Sequence, residues 1–464
     1  MNMKINNKNS DIILELLPEN AEAYIVGGYL RDFILDTKTY DIDYVLIGVD
    51  IIEFGKTFAN KVQGHFVLLD EKNEIVRVVL PDKIHFVDFA KCFGKSIKED
   101  LSRRDFSINA MAYDIKNHKL IDIYNGINDI KNKTVRIFDT QNILDDPLRI
   151  LRAYRFASKY AFEIEKTSAK ILDANYKLMN KNKIAKERIQ IEFLKLLEGK
   201  NSAQTLQKMK DNKFLYEIFD ELQAQENVPP NSHHHLKLID HSIETIHQLE
   251  NLISEEPKWV QTYINQDFIP GITRLSFLKL ATLLHDIGKP QTWEIEPESG
   301  RHRFIKHDEI GAQMAKKTLK KLKYSNNQIK YITKLIKHHI YPSHLLRSDV
   351  SEKAVLRMFR RLEEETVDTI LLAKADRLSA KGEEITDAII KKNMTGLSEL
   401  LEKYKIAKET LKPLEKLISG DEIMKILNIK ADEKLGNIIK ELKEAQISGD
   451  VITKEDAVNF ILRL

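Results

Sequence analysis

The chain has 464 residues, 42% of them hydrophobic, and a formal net charge of only +3, which allows three or four domains with real cores. Its single cysteine, Cys92, excludes a disulfide framework or a thiolate metal cluster and fits a reducing cytosol. The polar start MNMKINNKNS has no apolar signal core behind it, and no apolar run approaches membrane-span length; the expectation is a soluble, cytoplasmic protein with no membrane partner.

The first part alternates predicted strands, at residues 23–26, 43–47, 65–69, 75–80 and 84–89, with helices near 30–35 and 51–61. In AYIVGGYLRD, Gly27 and Gly28 form the turn between a buried strand and the helix that carries Arg31, so backbone N–H groups can approach phosphate oxygens. Thirteen residues after Gly28, TYDIDYVLIG places Asp41 and Asp43 two apart on one face of a strand. Two adjacent carboxylates repel unless a divalent cation neutralises them, and Mg²⁺ takes such oxygen ligands together with phosphates and water. Asp88 in HFVDFA offers a third carboxylate, as a two-metal site requires, though the position also suits a surface strand residue.

LSRRDFSINAMA follows, with Arg103 and Arg104 as guanidinium forks for triphosphate oxygens, Asp105 for a sugar hydroxyl, and Asn109 one turn on. In LDDPLRILRAYRFASKYAF, Asp145 or Asp146 caps a helix opened by Pro147, and Asp146, Arg149, Arg152 and Arg155 share a face. A carboxylate that accepts from a base amino group, beside a guanidinium that donates to the neighbouring ring nitrogen, admits C and A and rejects U and G. An ordinary i,i+3 salt bridge is the plainer reading. Residues 149–200 hold thirteen Lys/Arg against six Asp/Glu, which reads as a polyanion track or a solvated helical face. KIAKERIQIEFLKLL puts Glu187, Arg188 and Glu192 on an amphipathic helix that either buttresses the arginines or touches substrate.

Beyond about Asp145 the helical period continues to the end, with breaks at 198–202, 227–232 and 380–387, and a further turn at Pro413 and Gly420. Five stations along this body carry metal-ligand chemistry: His241, His285-Asp286 in HDIGK, His307, His338-His339 and Asp376. His233, His234 and His235 precede the first of these and read as surface residues. The last section, from LISGDEIMKIL onward, is helical and carries no identifiable chemistry.

GGYLRD with DID, RRDFSINAMA, DIYNG, DDPLRILRAYRF and ERIQIEF resemble, in order, the motifs of the bacterial class II tRNA nucleotidyltransferase and poly(A) polymerase family. The resemblance implies an α+β chain: a polymerase-β-like mixed-sheet head (1–140), a helical neck that reads the base and binds RNA (141–225), and two further helical regions (226–385 and 386–464). It implies two Mg²⁺ ions and transfer from CTP and ATP to the tRNA 3′ end, with Asp41 and Asp43 on metal. Nucleotide binding then falls to Arg103, Arg104 and Asp105, and base reading to Asp145, Asp146 and Arg149. Residues 231–380 resemble the HD phosphohydrolase superfamily. That implies a divalent transition metal on His241, His285, Asp286 and Asp376, with His307 and His339 as second-metal or substrate ligands, His339 preferred because it precedes Pro342. Such domains hydrolyse phosphomono- or diesters, including 3′ phosphates and 2′,3′-cyclic phosphates.

Two departures from the family pattern stand out. Asp145 replaces the commoner Glu, and only fourteen residues separate Asp88 from Arg103, a short link associated with members that add only part of CCA. The rival readings are a poly(A) polymerase, an HD nucleotide hydrolase with an inactive head, and a non-catalytic RNA-binding protein.

Overall fold

The computed structural model describes residues 5, 7–37, 39, 41–181, 184–232, 235–346, 351–409 and 415–464. His233, His234 and the turn at Pro413 lie outside the described residues. Two compact units form: Met1–Asn201 with Lys208–Glu217, and Ser202–Gln207 with Ile218–Leu464.

The first unit is built on seven strands: β1 (Glu22–Val26), β2 (Ile42–Ile47), β3 (His65–Asp70), β4 (Ile75–Val79), β5 (Phe86–Lys91), β6 (Ala112–Asp114) and β7 (Lys119–Ile121). Their order is β3-β4-β5-β2-β1-β6-β7. β2 runs parallel to β5 and antiparallel to β1, so the sheet is mixed. The parallel pairing sets Asp43 opposite Asp88, and the antiparallel β4–β5 pairing sets Arg77 opposite Asp88. Along β2, Ile42 and Tyr44 are buried while Asp43 is open. Burial of the apolar alternates thus fixes the face on which the acids stand.

Helix Ile51–Val62 is capped by Asp50, whose carboxylate accepts from Glu53 N, and it ends at Gln63 in the left-handed region. Its Phe58 meets Phe89 of β5 edge-on, with ring centroids 5.0 Å apart, which closes the core on that side of the sheet. Helix Leu148–Tyr160 follows Pro147 and buries Leu148, Leu151, Tyr154 and Ala157, an i,i+3 stripe that packs on helix Lys186–Leu197. The short parallel pair Thr134–Val135 and Glu163–Ile164 joins the head to these helices.

In the second unit the helices Leu238–Glu255, Arg274–Leu284, His307–Lys321, Asn326–His338 and Thr366–Ser379 pack around a core that includes Leu280, Leu283, Ile332, Leu335, Ile370 and Leu371. The helical body also carries two small hairpins, Asp267–Ile269 with Ile272–Thr273 and Trp293–Ile295 with His302–Phe304. They are too short to disturb the helical period from which that body was expected. The terminal helices Gly420–Leu427, Glu433–Ser448 and Lys454–Ile461 have their own core of Ile423, Ile438, Leu442, Ala457 and Ile461. Capping boxes at Ser419 and Thr453 start two of them.

Candidate active site

At the end of β1 the chain turns through Gly27, at φ 70° and ψ −131°, into helix Gly28–Ile34. A side chain is strained in that backbone region. A Cβ on Gly27 would also lie 3.0 Å from Arg104 Nη1 and 3.8 Å from Asp43 Oδ2. Bare backbone therefore passes between a guanidinium and a carboxylate at the edge of a cavity of about 520 Å³. Seven cationic side chains line it (Arg31, Arg103, Arg104, Arg149, Arg152, Arg155, Lys159), against the four carboxylates Asp43, Asp100, Asp105 and Asp146. A surplus of three positive charges suits a polyphosphate.

Asp43 reaches this cavity; Asp41, Asp88 and Asp145 are not among its lining residues. Burial raises the carboxyl of Asp41, with Arg77 opposing and Asp88 adding. Asp43 is pushed up to about 6, first by desolvation and then by the Asp88 charge, with Arg104 opposing. Because solvent reaches Asp43, part of that rise is open to screening. Asp43 thus feels the charges of both Asp88 and Asp41, and neighbouring carboxylates of this kind are the oxygen donors that a hard divalent cation takes. Asp88 is committed elsewhere: Arg77 Nε donates to Oδ1 and Nη2 to Oδ2, both at 2.8 Å, and the guanidinium stacks on Phe86 at 3.6 Å.

The cationic wall is held by buried partners. Arg31, stacked between Phe156 and Tyr160, donates from Nη1 to Asn109 Oδ1 at 2.6 Å, and Asn109 Nδ2 donates to Asp105 Oδ1 at 2.8 Å. Asp105 Oδ2 accepts from Arg152 Nε at 2.9 Å. Burial alone would raise Asp105, but Arg152 and Asn109 outweigh it and hold the group below the usual carboxylate range. Glu192 lies 3.0 Å from Arg155 Nε and 3.6 Å from Arg152 Nη1. Asp146 Oδ2 accepts from Arg188 Nη2 at 2.8 Å. Asp145 is exposed and accepts from Gln141.

Two supporting residues escaped sequence reasoning. Asp100, only 1% exposed, pairs with Arg103 at 3.2 Å and Arg104 at 2.9 Å. Its signal was present in the spacing, because Asp100 on helix Ile97–Ser102 lies three and four residues before the two arginines that follow the helix end. Arg77 had no such signal, because its partner is set by strand register.

A second centre forms in the other unit. His241, His285 and Asp376 bring ligand atoms within 4.8 Å of one another, as do His285, Asp286 and His339. His307 Nε2 lies 3.5 Å from Asp286 Oδ1 and 3.3 Å from His339 Nε2. In His285, His307 and His339 the Nδ1 atom meets a backbone carbonyl, of Thr282, Phe304 and Ile336 respectively, each at 2.7 Å. That contact turns Nε2 inward, the orientation a metal ligand needs. His241 Nε2 lies 3.1 Å from Asp376 Oδ1 and His285 Nε2 lies 3.3 Å from Asp286 Oδ2, a buried, converging set of nitrogens and carboxylate oxygens of the kind that a transition-metal ion binds. Burial pushes His339 down to about 3. His285 is pushed up to about 10, because Asp286 and Asp376 overcome the effect of its burial. His338 turns away from this centre towards Tyr341. A cavity of about 710 Å³ reaches His307, His339 and Asp376, with Lys289, Arg301, Arg303 and Arg377 on its walls.

The fold and the two clusters define a nucleotidyltransferase head joined to an HD domain. Family models agree: "Poly A polymerase head domain" matches residues 23–136, "Probable RNA and SrmB- binding site of polymerase A" matches 161–226, and "HD domain" matches 238–381. An A-adding tRNA nucleotidyltransferase from Deinococcus radiodurans is 28% identical over 97% of this chain and 96% of its own. A CC-adding tRNA nucleotidyltransferase from Thermus thermophilus is 27% identical over 95% and 93%. The Thermotoga maritima CCA-adding enzyme, solved in complex with tRNA, shares the fold with a TM-score of 0.58 at 22% identity over 99% of both chains. Over nearly its whole length the chain is thus similar to tRNA nucleotidyltransferases, with a poly(A) polymerase head domain in its first half and an HD domain in its second. No helix among the described residues is long and apolar enough to cross a membrane.

Proposed function

We propose that this chain is a template-independent tRNA nucleotidyltransferase, working in the cytoplasm, that adds C, A or both from CTP and ATP to the tRNA 3′ end. The observation that carries the reading is the cation-lined cavity in which the Gly27–Gly28 turn, Asp43 and three arginines of one helix converge. In this reading Asp41 and Asp43 hold Mg²⁺, which when bound neutralises triphosphate charge and favours the ionised attacking hydroxyl. The chain's own part is positioning. Gly27 and Gly28 let the backbone approach the phosphates, and Arg31, Arg103 and Arg104 take their charge. Asp105 and Asn109 hold Arg152 in place, and Asp88 acts through its charge on Asp43. Asp146 and Arg149 read the base edge, admitting C and A. Arg155 keeps the helix face positive. Asp145, turned to solvent, has at most an indirect part.

The short link between Asp88 and Arg103, together with full-length similarity to an A-adding and a CC-adding enzyme, favours partial rather than complete CCA addition. In the HD domain, His241, His285, Asp286 and Asp376, with His307 and His339, hold a divalent transition metal. Such a centre activates water to hydrolyse a phosphomono- or diester. The deciding experiment supplies tRNA lacking its last three, two or one nucleotides with CTP or ATP separately and sizes the products. The expected products stop at or before the completed CCA end. A long ladder from ATP alone, on unrelated RNA as well, would replace this reading with poly(A) synthesis.

A further inference from the structure

We propose that Asn142 is a positioning residue for nucleotide selection, tying the segment that grips the triphosphate to the arginine that reads the base. The inference rests on the activity proposed above and goes one residue beyond it. Helix Ile97–Ser102 ends at Arg103, so the carbonyls at that end lack partners within the helix. Asn142, 4% exposed, supplies them. Its Nδ2 donates to Ser102 O at 3.0 Å and to Arg104 O at 2.9 Å. Both protons of one amide thus hold the backbone on either side of Arg103 from about forty residues away.

The main chain of the same residue faces the other way. Asn142 O accepts from Arg149 Nη1 at 3.0 Å and from the backbone N of Asp146 at 3.4 Å. One short residue therefore touches the Arg103–Arg104 backbone through its side chain, and the Asp146–Arg149 pair through its carbonyl. Moving either partner moves the other. The requirement on residue type is narrow: Asn offers two donors on a single methylene, Gln places them one carbon too far, and Asp has none. Discrimination between base edges needs groups fixed to within roughly 0.5 Å, and a shared anchor enforces that between two sequence-distant segments.

The test compares wild type with Asn142→Asp, nearly isosteric but facing two carbonyls with acceptors, and with Asn142→Ala, which removes the donors without adding charge. Single-nucleotide addition to truncated tRNA is measured with CTP, ATP, UTP and GTP. The ratio of kcat/KM for the accepted to the rejected nucleotides does not depend on how much of a variant is folded. That ratio is expected to fall about tenfold in both variants, on the scale of one lost hydrogen bond, with KM for CTP and ATP raised and HD-domain hydrolysis unchanged. Selectivity equal to wild type, with only a lower melting temperature, would overturn the role of Asn142 and leave the activity intact. A wild-type protein that adds no nucleotide at all would overturn both.

Discussion

Arg77 takes both oxygens of Asp88 and leaves Asp43 to face the cavity, so the two acids opposed across β2 and β5 do different work. Replacing Asp43 by Ala should lower nucleotide addition by about a thousandfold or more while tRNA binding, followed by filter retention, stays near wild type. Undiminished addition would remove Asp43 from the metal assignment. The raised carboxyl also has a sign. With a folded value of about 6 against an unfolded value of about 4, Asp43 keeps its proton longer in the folded chain. It therefore costs stability above about pH 6 and none below about pH 4. In chelator, Asp43→Asn should melt above wild type near neutral pH, the gap should close on acidification, and Mg²⁺ should close it by raising wild type. A gap that widened in acid would refute the sign.

The elements most legible in the sequence were those whose burial repeats. β1, β2, β4 and helix Ile51–Val62 were expected within a residue or two, because apolar alternation or a 3.6-residue stripe ran long enough to register. β6 and β7, three residues each, are too short for any period to show. They exist because β1 offers β6 an edge to pair with. In the sequence Glu192 suits either a buttress or a substrate contact; the structure sets it against Arg152 and Arg155 on the neighbouring helix. Glu192→Gln removes the carboxylate beside Arg155 and leaves Arg152 with Asp105 alone. It should cost about 3 kcal/mol of stability, read from denaturant unfolding, and raise KM for both nucleotides several-fold. A change in stability with unchanged KM would mean that these arginines do not grip the nucleotide.

Across the whole molecule the two centres lie in separate compact units, and they should fail separately. His285→Ala or Asp286→Ala should abolish metal-dependent phosphohydrolysis and spare nucleotide addition. Loss of both activities together would make the HD ion a structural one. Asp286 and Asp376 favour the protonated form of His285, so metal uptake should release a proton there. Calorimetry in buffers of different ionisation heat should register the release, and its absence would mean that His285 is already neutral in the metal-free protein. The histidine stations were readable because chemistry-bearing types recur along apolar helices. Asn142, Asp100 and Arg77 were obscure because their worth lies in what the folded chain brings beside them.

The backbone carbonyls that hold three imidazole rings of the HD centre have one further consequence. Backbone carbonyls of two helices and of the strand His302–Phe304, not the ion, aim those nitrogens, so the receptacle is finished before any cation arrives. Chelation should then empty it without unravelling the helices around it, far-ultraviolet circular dichroism should stay constant, and refilling should be limited by entry rather than by refolding.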